Sequence, residues 1–160
     1  MKQRNLIVSL AAALALAACA TVPPQSQQLA ANFKAMQPTS GLAKEMTMGE
    51  AERIRDGLVA ELAASHGKVV GYKAGLTNPA VQKRFGTTSP VRGVLLEKML
   101  LDDGAEVPAK FGAIPFFEAD IVAVVKDEGI NQAKTPAEVI KHLASIRPFI
   151  ELPDLVTAKE

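Results

Sequence analysis

Tryptophan is absent from these 160 residues, cysteine and tyrosine occur once each, and histidine occurs twice. A single cysteine excludes an intramolecular disulfide. His66 and His142 lie far apart and lack the spacing of a paired metal site, which argues against a zinc centre built on His and Cys. His66 is expected at a helix end and His142 at the surface. Aromatic residues make up 4% of the chain, too few for a platform on which bases stack. The formal net charge is +1 with no basic stripe, so no nucleic acid is expected as a partner. Gly71, Gly75 and Gly86 form no phosphate-binding fingerprint, and Ser65 and Ser145 lack the context of a nucleophile elbow. The apolar run over residues 6–18 is 13 residues long, short of the roughly 20 that a helix needs to cross a bilayer.

That run has another use. Lys2 and Arg4 precede it, and small residues close it, which is the pattern of a secretory leader. Its end, Leu16-Ala17-Ala18-Cys19, resembles the lipobox of bacterial lipoproteins. The resemblance implies a signal peptide over 1–18, removed at Cys19, and a lipid on Cys19 as a membrane anchor. Ala20, not being aspartate, leans toward the outer membrane, facing the periplasm of the cell envelope. Residues 19–28, with two prolines and several polar side chains, read as a lipidated tether. Residues 29–160 then form one domain. Of 18 basic residues, removal of Lys2 and Arg4 leaves 16 against 17 acidic ones, a net charge of −1.

Within the domain the pattern is mixed α and β. Residues 29–36 suit a short helix. Thr47 and Glu50 make a capping box, and Ala51, Ile54, Leu58 and Leu62 fall on one stripe, which predicts a helix over 48–65 stopped by Gly67. Residues 68–76 read as a strand, and 79–85 as a short helix with Pro79 near its start. Residues 94–101 read as partly extended, and 105–108 as a short strand. Residues 116–125 (FFEADIVAVV) are the clearest strand in the chain. A second capping box at Thr135 and Glu138 predicts a helix over 136–145, broken by Arg147-Pro148 and followed by a strand at 149–152.

Glu118 and Asp120 are two apart on a strand, so alternation puts both on one face with Val122 and Val124. Neighbouring anions on an apolar strand repel unless a cation compensates them. Glu151, between Ile150 and Leu152, is a third carboxylate in an apolar setting. Three carboxylates without useful His or Cys favour a hard ion, Mg²⁺, Mn²⁺ or Ca²⁺, over zinc. The competing reading puts all three on a solvent face. Lys73 reads either as an acid, base or carboxylate anchor, or as a solvent-facing residue of a half-buried strand.

The segments Gly71-Tyr72-Lys73-Ala74-Gly75-Leu76-Thr77, Val81-Gln82, Phe85-Gly86, Arg92-Gly93-Val94-Leu95, Glu118-Ala119-Asp120 and Pro148-Phe149-Ile150-Glu151 resemble, in order and spacing, the 2-oxo-4-pentenoate hydratase family of the fumarylacetoacetate hydrolase superfamily. The resemblance covers roughly residues 45–156. It implies an α+β fold, a mixed β-roll behind a helical lead-in. It implies a metal site at Glu118, Asp120 and Glu151 for Mg²⁺ or Mn²⁺, with Ca²⁺ a further candidate. Lys73 becomes the catalytic residue, and Lys73 with Thr77 the substrate contacts. The implied activity is hydration of a 2-hydroxy-2,4-dienoate to a 4-hydroxy-2-oxo acid in aromatic-compound catabolism. Alternatives on the same scaffold are decarboxylation of a 2-oxo acid, hydrolysis of an acylpyruvate, or a non-catalytic lipoprotein keeping the fold as a binding module.

The sequence departs from that family in two places. Val91 and Arg92 stand in the loop where many hydratases carry an aspartate, and valine transfers no proton. Glu97 is the nearby carboxylate. Family members also continue well past the equivalent of Glu160, so the chain is expected to be cut short of the full roll, or completed by a second copy or another chain.

Overall fold

The computed structural model describes residues 22–156, apart from 41, 43 and 44. The proposed signal peptide and Cys19 lie outside the described residues. Among the described residues no helix is long and apolar enough to cross a membrane.

Two helices lead in. α1, Pro24–Lys34, and α2, Met48–His66, pack against each other. Residues 24–28, expected as part of a tether, are helical instead. Pro24 at the first helical position has its φ preset and needs no N–H there, so the proline pair starts a helix. Ser26 is fully buried, and its Oγ donates to the Ile54 carbonyl at 2.8 Å. Gly57, within α2, permits this: a Cβ there would lie 2.4 Å from Ser26 Oγ. The helix thus carries a residue of poor helical propensity at the point of closest approach. The Thr47–Glu50 capping box forms as read, and α2 follows the expected span.

Two antiparallel hairpins follow. β1, Val69–Gly75, pairs with β2, Val91–Leu96, across α3, Pro79–Arg84. β3, Glu118–Val125, pairs with β4, Leu143–Glu151, across α4, Pro136–Lys141. The described strands form these two separate two-stranded sheets and no closed roll. Residues 105–108, expected as a strand, are irregular, with the turn at Gly104 before them and Pro108 at their end.

The second capping box, Thr135 with Glu138, also forms, yet α4 ends at Lys141 and β4 begins at Leu143. The expected helix to 145 is therefore too long and the strand at 149–152 too short. Pro148 does not break the chain but sits within β4, opposite Ile121. A proline is tolerated because a two-stranded sheet has only edge strands. His142 caps α4 and is half-buried, with Nδ1 at 2.6 Å from Asp127 Oδ1. That hydrogen bond, joined by the Gly129 N–H, holds the Asp127 carboxyl below its ordinary value.

The core is small. Ala30, Leu62 and Leu96 are buried, and Phe33, Leu58, Val59, Val94 and Met99 pack against them. It joins α1 and α2 to the first hairpin. On the second hairpin Ile121, Ile146 and Ile150 share the face opposite to Glu118 and Asp120, and each is more than half exposed. Leu96→Ala is therefore expected to lower unfolding stability by about 2–5 kcal/mol, and Ile121→Ala by no more than about 0.5 kcal/mol, as read by denaturant titration of each variant.

Candidate functional site

The hairpins set the geometry. In β3–β4, Glu118 stands directly opposite Glu151, and Asp120 opposite Phe149. Directly opposed residues share a sheet face. The register therefore places Glu118, Asp120 and Glu151 together, with Val122, Arg147 and Phe149 further along that face. Glu118 and Asp120 are exposed, as the solvent-face reading has it, whereas the Glu151 side chain is only 17% exposed.

A clip just beyond the strand ends holds this corner. Asp154 accepts the backbone N–H of Ala113 at 3.0 Å and of Ile114 at 2.7 Å through its two carboxylate oxygens. The Phe116 N–H donates to the Pro153 carbonyl at 2.9 Å and the Leu155 N–H to Ile114 at 3.1 Å. The segments entering β3 and leaving β4 are thus zipped together next to the carboxylates. Sequence reasoning passed over Asp154; its position soon after an apolar strand gave no distinguishing signal.

In β1–β2, Lys73 stands opposite Gly93. A Cβ on Gly93 would lie 2.6 Å from Lys73 Cγ, so the lysine stem lies across the hairpin in the space that glycine leaves. Lys73 Nζ forms an ion pair with Glu151 Oε1, which links the two hairpins. Of the expected site residues, Lys73 and Glu151 are brought into contact.

The other residues divide clearly. Val91 pairs with Gly75 on the Lys73 face, at the hairpin end nearer Thr77, and offers no proton there. Arg92 is on the opposite face, with its guanidinium 5.3 Å from the Tyr72 ring centre, a cation–π contact turned away from Lys73. Glu97 follows the far end of β2, against Gly67, where its side chain fills the space beside the end of α2. Thr77 is exposed in the loop after β1, two residues beyond Gly75. Gln82 steadies that loop by donating to the Leu76 carbonyl at 2.7 Å. A cavity of about 360 Å³ lies elsewhere, between α1, the end of α2 and the 111 and 152–154 segments; Phe33, His66, Phe111 and Asp154 are among its lining.

The donor set of three carboxylates on one sheet face suits a hard divalent cation. The side chains are not arranged as a ligated set, however. Among the described residues no three His, Cys, Asp or Glu side chains are grouped so as to hold a metal ion. Glu151 is taken by Lys73, and Asp120 Oδ1 accepts the Ile121 N–H at 2.7 Å.

No protein-family model matches the chain. A 2-keto-4-pentenoate hydratase of Burkholderia vietnamiensis is 37% identical over 87 residues, 54% of this chain and 33% of that protein. A second, from Paraburkholderia xenovorans, is 27% identical over 137 residues, 81% of this chain and 51% of its own. The chain thus spans a third to about half the length of these curated relatives. Among solved structures, the 4-oxalocrotonate decarboxylase of Pseudomonas putida G7, complexed with magnesium and adipate, superposes with a TM-score of 0.73 over 83% of this chain and 52% of that one, at 23% identity. The two share a fold. A calcium and acetate complex of the same decarboxylase gives 0.71. The α+β fold is therefore that of the decarboxylase over its matched half, with the helical lead-in and both hairpins in the described residues.

Proposed function

We propose that this chain carries the lysine and carboxylate elements of a divalent-metal-dependent hydratase that adds water to a 2-hydroxy-2,4-dienoate and yields a 4-hydroxy-2-oxo acid. The observation that carries the reading is the meeting of Lys73 with Glu151, on a hairpin whose register aligns Glu151 with Glu118 and Asp120. Sequence similarity to 2-keto-4-pentenoate hydratases, and a fold shared with a magnesium-bound decarboxylase, support it. Glu118, Asp120 and Glu151 would hold Mg²⁺ or Mn²⁺, which would supply Lewis-acid stabilisation of charge on the substrate 2-oxygen. Lys73 Nζ binds the substrate carboxylate and holds a proton for the carbon that ketonises. Ketonisation polarises the distal double bond, to which water then adds. Thr77 lies at the loop end of the same hairpin as a second substrate contact.

Decarboxylation of a 2-oxo acid is the second reading. Val91 on the Lys73 face favours it, because valine cannot carry a proton for water addition. The test is loss of dienol absorbance by the full chain with Mg²⁺ or Mn²⁺, together with product analysis. Activity should fall at least a hundredfold in Glu151→Ala. Turnover that survives metal chelation contradicts the proposal, and release of carbon dioxide from a 2-oxo-3-enedioate, with no hydration of the 2-hydroxy-2,4-dienoate, selects the second reading.

We also propose that Cys19 carries the lipid that anchors the protein in the bacterial envelope, at the outer membrane facing the periplasm. Radiolabelled palmitate should enter the wild-type chain and not Cys19→Ala, which should leave the membrane fraction. Label in both proteins would contradict the anchor.

A further inference from the structure

Lys73 and the proposed metal require the same carboxylate. The ammonium sits on Glu151 Oε1, and Glu151 is the least exposed of the three acidic residues on the hairpin face. Asp120 is engaged with its own strand through the Ile121 N–H. The ammonium is a cation on a tether, and its placement is fixed by the room above Gly93.

We infer that Lys73 is a resident counter-cation for Glu151 that must be displaced before the carboxylates can ligate a divalent ion, so that cation binding and release of Lys73 toward an anionic substrate are one event. This rests on the metal reading above and extends it to the order of binding: cation first, 2-oxo acid second. Without the cation, Lys73 neutralises Glu151 and is withheld from a substrate carboxylate. Once Glu151 is turned to the cation, along with Glu118 and Asp120, the ammonium has lost its partner and is open to the carboxylate of an incoming acid. Competition of this kind is reciprocal: the factor by which Lys73 weakens cation binding is the factor by which the cation weakens the Lys73–Glu151 pair.

Calorimetric titration of Mn²⁺ into the full chain, without substrate, tests this. Lys73→Met should bind Mn²⁺ about 5-fold or more tightly than wild type, the lower end of ordinary coupling between sites. Gly93→Ala keeps the lysine charge but pushes the stem off its seat, and it should tighten binding in the same direction. Loss of a distant charge in Lys83→Met should change nothing. Tightening in Lys73→Met but not in Gly93→Ala would reduce the effect to bulk charge and overturn the displacement. Equal or weaker binding in both variants would overturn it while leaving the metal site standing. No binding in wild type or either variant would remove the metal reading and this inference together. A variant that does not unfold cooperatively is replaced by Lys73→Gln, for which the same tightening is required.

Discussion

The ion pair between Lys73 and Glu151 is the contact on which the arrangement of the site depends. Each hairpin is built locally, by its own strands and its own turn helix. The buried core secures the first hairpin to the helical lead-in and does not include the second. The lysine reaching across joins the face that carries the carboxylates to the face that carries Gly93 and Val91. An ammonium opposite a half-buried carboxylate compensates a charge that would otherwise be expensive to enclose. The same compensation sets a limit, because a carboxylate already neutralised is a poor ligand for a second cation.

Around that contact several backbone positions are tied down by hydrogen bonds. Asp154 fixes the chain on both sides of the Glu118–Glu151 pair by accepting two backbone N–H groups. Gly93 opens the space for the lysine stem, and Gln82 holds the loop that begins at Leu76, whose φ is 53°. The opposite face of the second hairpin is apolar and exposed. The two sides of one sheet therefore differ sharply: one presents anions and the other Ile121, Ile146 and Ile150.

Much of this was legible in the sequence where the signal was local. Both capping boxes formed, because a Thr and a Glu three residues apart need only a helix to meet. The acidic pair fell on one face because strand alternation requires it. What was not legible depended on partners distant in sequence. α1 packs on α2 through Ser26, whose partner, the Ile54 carbonyl, is 28 residues away. β4 starts at Leu143 because pairing with β3 overrides both the helical pattern and Pro148. His142 was read as an ordinary surface residue, since nothing nearby announces Asp127 as its partner. The resemblance named Lys73 and the three carboxylates, but not that lysine and Glu151 would hold each other.

The most direct measurement is a double-mutant cycle in stability on Lys73→Met, Glu151→Gln and the pair, with metal removed by a chelator. Residues in contact couple by about 0.5–3 kcal/mol, and the account predicts a value within that range. Strictly additive single effects would mean that the two hairpins are not held by this pair, and would contradict the account at its centre.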